Sequence, residues 1–168
     1  ATAIFAAWTY TGGKRPYGYL GLGEISVFLF FGLVATVGSY YVQTEKITWQ
    51  SFMVAIPMGC LACSILAINN LRDRAQDELV GKRTLAVRLG DAGARKLFIG
   101  LLLLSHFAAI SIPDKNTLIT LALLPQTLII ATQVRKGAAG PALIPLLGKT
   151  AQLQLWFAVA LSIALALN

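Results

Sequence analysis

Five apolar runs dominate the chain: Ile25 to Val42, Phe52 to Ile68, Leu97 to Ile112, Leu118 to Val134 and Leu153 to Leu167. None contains a Lys, Arg, Asp or Glu. A bilayer core is crossed by about 20 apolar residues at a rise of roughly 1.5 Å each. Each run is long enough or nearly so, the shorter ones drawing in flanking polar residues. Hydrocarbon offers no partner to a free backbone N–H or C=O, so these runs are predicted as helices and not as open sheet. The pattern predicts an all-α, multi-pass transmembrane bundle forming one membrane domain over residues 1–168. The opening "ATAIFAAWTY", Ala1 to Tyr10, has no charged n-region and no cleavage site, so it does not read as a signal peptide. It reads as the tail of an earlier helix, and a fragment of a longer protein is expected. Pro57 and Pro125 fall inside membrane runs, where kinks are expected.

The connections between the runs alternate in charge. Lys14 and Arg15 precede the first; Arg72, Arg74, Lys82, Arg83, Arg88, Arg95 and Lys96 lie between the second and third; Arg135, Lys136 and Lys149 lie between the fourth and fifth. The intervening connections hold Lys46 and Lys115 alone. Five helices threaded through these loops put nearly all cations on one side, which the positive-inside rule assigns to the cytoplasm of a cell membrane.

Composition agrees: 57% of residues are hydrophobic and 12% charged, with mean hydropathy +0.70, against about 25% charged in soluble domains. The net charge of +7 would suit nucleic acid on a soluble surface. Clustered between apolar runs it sets topology instead, and no nucleic-acid partner is expected. Cys60 and Cys63 form a C-x-x-C within an apolar run. Without a βαβ pattern or a second pair they read as small packing residues, not a redox or zinc motif.

The stretch from Asn69 to Gly90, "NNLRDRAQDELVGKRTLAVRLG", gathers three of the seven acidic residues and five of the fourteen basic ones. If the second helix continues through it, Asn69, Asp73 and Asp77 stack one turn apart on one face. Paired carboxylates so placed repel unless a cation lies between them. Mg²⁺, a hard ion that takes oxygen ligands and substrate phosphates together, suits the pair. Lys82 and Arg83, after Gly81, add charge suited to a diphosphate. The competing reading is a solvated, mixed-charge loop that only fixes topology.

This stretch resembles the second aspartate-rich motif of the UbiA-type intramembrane prenyltransferases. "YTGGKRPYGYLGLGE" at Tyr10 to Glu24 and "VFLFFGLVATVGSYYVQ" at Val27 to Gln43 narrow the likeness to the branch that prenylates 1,4-dihydroxy-2-naphthoate in menaquinone synthesis. The resemblance implies the last five of about nine helices around a cavity open to the cytoplasm and laterally to lipid. It implies Asp73 and Asp77 as the catalytic metal ligands, holding Mg²⁺ and a polyprenyl diphosphate. Asn69, Asn70 and Arg72 match neighbouring letters of that motif and are candidates for orienting metal or phosphate. Lys82 and Arg83 rest on charge. The family's first motif, N-x-x-x-D-x-x-x-D, has no counterpart here, so the chain alone is expected to be inactive.

The segment Tyr10 to Glu24 reads either as an interfacial loop or as a cover over the cavity mouth, with Lys14 or Arg15 pairing the acceptor's carboxylate. His106 is expected to be a neutral imidazole bonded to another helix, and Glu24 to favour a helix N-terminus. Other readings are a relative acting on 4-hydroxybenzoate, a phytyl-transferring cousin, half of a transporter, or a structural membrane subunit.

Overall fold

The computed structural model describes residues 2–13 and 16–167, which are helical with short turns. A helix α1 (Thr2–Thr11) leads through a single 3₁₀ turn, Tyr17–Leu20, to five long helical runs. These are α2 (Gly23–Thr44), α3 (Trp49–Leu79), α4 (Leu85–Ile110), α5 (Lys115–Arg135) and α6 (Gly140–Ala166), each long and apolar enough to cross a membrane.

All five predicted runs are found, extended at their ends. The second continues 11 residues past Ile68 to Leu79, so the charged stretch is mostly helix. The fifth begins at Gly140, not near Leu153, because Pro141 and Pro145 occupy first-turn positions where no N–H is required. Lys149 therefore lies on α6, and the connection from α5 shrinks to 136–139. Pro125 sits where α5 changes from 3₁₀ geometry (Lys115–Leu123) to α geometry (Leu124–Arg135), at a helix start and not within a regular turn. α4 is broken at Gly90, whose φ of 69° and ψ of 178° suit only glycine. Leu85–Leu89 thus forms a short helical step at the membrane boundary.

Helix α3 is central: 61% of its membrane window is buried, against 6% for α2 and about a third for the others. Ser51, Ala55, Gly59, Cys63 and Ala67 recur every four residues along it, all buried. Lipid tails give no hydrophobic drive between helices, so small side chains that admit a neighbour's backbone decide where helices meet. α2 uses this stripe through its π-helical middle, Phe28–Val34. A Cβ on Gly32 would stand 2.6 Å from the Cα of Gly59, and one on Gly59 would stand 2.7 Å from the Phe28 ring. Both cysteines are free and buried, and Cys63 Sγ donates to the Glu24 carbonyl at 3.1 Å. They pack, as expected.

α3 also packs extensively on α4, through Leu61, Ile68, Leu71, Phe98 and Leu102. On the far side His106 joins three helices. Its Nε2 lies 2.8 Å from Thr127 Oγ1 on α5, and its ring meets the edge of Phe157 on α6 at 5.1 Å.

Gly32→Ala places a methyl against backbone that cannot yield, and is expected to cost about 1–3 kcal/mol. Gly38→Ala and Gly100→Ala add a Cβ where nothing lies within 4 Å, and should be neutral or slightly stabilising. Denaturation midpoints in detergent micelles compare the three; an unchanged Gly32→Ala midpoint would contradict the close approach.

Candidate active site

Helix α3 carries Asn69, Asp73 and Asp77 at successive turns, so their Cα–Cβ bonds project from one face. Asn69 shares a largely apolar groove of about 400 Å³ with Val27, Phe31, Ala62, Ile65 and Leu147. A second groove of similar size lies between α1 and α2, lined by Tyr10, Tyr17 and Phe30, and it shares Val27 and Phe31 with the first. The acidic face therefore rises from the rim of apolar space that continues to either side of α2.

Each carboxylate on that face has a cation. Asp73, its side chain 38% exposed, accepts from Nε and Nη2 of Arg72 at 2.7 and 2.6 Å. Asp77 is buried, and its Oδ1 lies 3.2 Å from Lys82 Nζ. The ammonium also stands 5.0 Å from the centre of the Tyr19 ring, a cation–π distance. Arg83 is exposed; its backbone N–H donates to the Tyr19 carbonyl at 2.9 Å, and its own carbonyl accepts from Arg88 Nε at 3.0 Å. Gly81, with φ of 77°, makes the turn that folds Lys82 back onto Asp77. Thr84 then caps the next helical segment by accepting from Val87 N–H.

The two sequence segments singled out above, Tyr10 to Glu24 and Asn69 to Gly90, are thus one structural unit. Besides the Tyr19 contacts, Asn70 Nδ2 donates to Glu24 Oε1 at 3.0 Å. Asn70 thus ties α3 to α2, its amide spent on Glu24. Glu24 does more than begin a helix. It is 8% exposed, tied to α3 by its carbonyl and one carboxyl oxygen, while Oε2 has no partner among the described residues. The sequence signalled it only as an acidic residue at a helix start. Tyr19 carried no signal beyond its aromatic character. Lys14 and Arg15 lie outside the described residues.

Among the described residues no three His, Cys, Asp or Glu side chains gather as a metal cage. The oxygen donors on one face are two carboxylates and an amide, a set that suits Mg²⁺ shared with a substrate's phosphates, since that ion usually takes only one or two carboxylates from protein.

The profile of the UbiA prenyltransferase family matches residues 1–140, and the chain belongs to that family. It is 43% identical over 168 residues to 1,4-dihydroxy-2-naphthoate octaprenyltransferase of Mycobacterium tuberculosis, covering 99% of this chain and 58% of that protein. The Escherichia coli protein of the same name is 48% identical over 101 residues, 60% of this chain and 33% of its own length. The 2-carboxy-1,4-naphthoquinone phytyltransferase of Synechocystis is 31% identical over 128 residues, 73% of this chain and 42% of its own. The chain thus spans little more than half the length of these relatives at most. No solved structure matches it at a significant level.

Two outcomes test the site's geometry. Glu24→Ala strands the Asn70 amide and should cost about 1–3 kcal/mol, whereas Glu24→Gln keeps an acceptor oxygen and should cost much less; denaturation midpoints distinguish them. The hydrogen bond to Asp77 raises the Lys82 pKa above its ordinary 10.5. A raised cation pKa contributes stability that is whole below pH 10.5 and is lost as pH climbs through the folded value. Asp77→Asn should flatten that alkaline loss in a pH series of the same midpoints.

Proposed function

We propose that the full-length protein transfers a polyprenyl chain from polyprenyl diphosphate to 1,4-dihydroxy-2-naphthoate, with decarboxylation, to give demethylmenaquinol, the hydroquinone form of demethylmenaquinone. The observation that supports this reading is the run of Asn69, Asp73 and Asp77 at successive turns of one helix, with Asn69 lining an apolar groove and each carboxylate beside a cation. Family membership and the names of the relatives supply the reaction class.

In this mechanism the isoprenoid tail lies along Val27, Phe31 and Ile65, and the diphosphate faces the charged rim. Arg72, Lys82 and Arg83 exchange carboxylate or solvent partners for phosphate oxygens. Asp73 and Asp77 would hold Mg²⁺, with the Asn69 carbonyl near it; the bound ion supplies neutralising charge to the leaving diphosphate. The allylic C–O bond breaks, and its electron pair leaves with the diphosphate. The electron-rich ring carbon bonds to the allylic carbon, and the carboxyl group on that carbon departs as carbon dioxide, returning its electrons to the ring. Apolar walls keep water from the electron-deficient allyl group. Most of the acceleration is electrostatic, directed at charge that grows on the diphosphate oxygens. Lys14 and Arg15, in the segment joined to this rim, hold the acceptor's carboxylate. The basic side faces the cytoplasm of the cell membrane.

Asp73→Asn and Asp77→Asn in the full-length protein should each lower Mg²⁺-dependent prenylation by about 10²- to 10³-fold, the scale of removing one group that stabilises developing charge. Their helical circular dichroism should be preserved. Wild-type turnover from folded Asp73→Asn protein would end the assignment. Lys14→Gln with Arg15→Gln should raise KM for the acceptor more than for the donor; equal rises would remove the pair from the acceptor site.

A further inference from the structure

Away from the charged rim just described, the corner between α5 and α6 forms a second basic concavity. A groove of about 440 Å³ is lined by Gln133, Lys136, Pro145, Leu146 and Lys149. It adjoins a shallower one of about 340 Å³, lined by Leu128, Ile129 and Thr132, and the two share Gln133 and Lys136. Leu128, Thr132 and Lys136 fall at spacing four, in line along α5, with the cation at the loop end and the leucine toward the apolar middle of the helix. Leu128 and Ile129 are 49% and 54% exposed.

Charge at this corner is unopposed. Lys136 and Lys149 are exposed, and neither forms an ion pair with a described residue. The carboxylate that approaches the corner, Asp91, accepts from Nε and Nη2 of Arg95, whose Nη1 donates to the Val134 and Ala138 carbonyls. That guanidinium fixes the end of α5 and neutralises the acid. The carbonyl end of α5 and the N–H end of α6 both lie at this corner and offset each other, so the lysines carry its net charge.

Two cations over an apolar strip at a membrane boundary match an amphiphile with an anionic head and a hydrocarbon tail. We propose that this corner binds an anionic phospholipid, its phosphate between Lys136 and Lys149 and one acyl chain along Leu128 and Ile129. Basic pockets between membrane helices recognise such headgroups, and charge complementarity selects them over zwitterionic lipid. The acyl strip selects lipid over free phosphate.

The test is native mass spectrometry of the full-length protein, released from detergent with phosphatidylglycerol and phosphatidylcholine supplied in equal amounts. The bound phosphatidylglycerol-to-phosphatidylcholine ratio should fall about tenfold or more in the Lys136→Gln, Lys149→Gln double variant, the scale expected of two cations near anionic lipid. Lys136→Arg with Lys149→Arg should keep it, as should Lys46→Gln with Lys115→Gln in the loops of opposite charge bias. If the double variant fails to fold, either single change should still lower the ratio about threefold or more. An unchanged ratio in the glutamine variants overturns the proposal, and so does an equal fall in the Lys46, Lys115 variant. Displacement of the lipid by an equal concentration of inorganic phosphate would overturn the acyl-chain assignment.

Discussion

The close approach of α2 to α3 at Gly32 and Gly59 sets everything above it. A membrane helix has no hydrophobic reason to prefer a protein neighbour over lipid, so its rotation and depth are fixed by where backbones can touch. The four-residue stripe from Ser51 to Ala67 admits α2 along one line only. With Gly32 seated on Gly59, the start of α2 falls beside Cys63 and Asn70, which hold Glu24. The segment that leads into α2 is then carried across the turn after α3, where Tyr19 meets Lys82 and Arg83. A contact in the bilayer thereby builds a charged rim outside it.

That rim is constructed from pairs that are poor stabilisers. Arg72–Asp73 is partly solvated on both sides, and such pairs add little to folding free energy. Their value lies in being held. Asp77 is buried, and removing its partner would leave a charge without compensation. Lys82 is positioned from two directions, by the carboxylate and by the Tyr19 ring. On the proposed function, an arriving diphosphate finds donors whose ordering cost was met during folding, which is the condition for electrostatic stabilisation of a transition state.

Most of the architecture was legible because lipid allows few solutions. Uncharged runs must be helices, and the alternation of basic loops fixed their number and order. What escaped were the ends, where hydropathy no longer reports helix. α3 runs on through Asn69 to Leu79 because Leu71, Arg72, Arg74, Ala75, Gln76 and Glu78 are good helix formers that outweigh the Asn and Asp among them. α6 begins early because proline suits a first turn. The Asp73 and Asp77 spacing was readable, since one helical period relates them. The union of Tyr19 with Lys82 and of Glu24 with Asn70 was not, because each joins residues 46 or more positions apart. No local pattern encodes that separation. Glu24 in particular read as a helix-start acid, and its burial follows only from the glycine contact two turns further on.

The two ends of the bundle are stabilised by different chemistry, and the difference bears on function. At the weakly charged end, polar side chains close on their own backbone. Thr117 bonds to the Asp114 carbonyl and Thr120 to that of Thr117, while Asp114 caps the Asn116 N–H. Deeper in the bundle His106 Nε2 bonds Thr127 Oγ1 across helices, while its Nδ1 has no partner among the described residues. Thr117, Thr120 and Thr127 are buried, so solvent does not compete for their hydroxyl bonds. At the basic end the cations sit where carboxylate, phosphate and water are interchangeable partners. On the proposed function, a diphosphate replaces those partners at the rim while the helices beneath keep their packing. On the proposed function, separating the packing that orders the site from the charges that serve it is how a bundle with so few ionisable groups would hold a polar reaction at its surface.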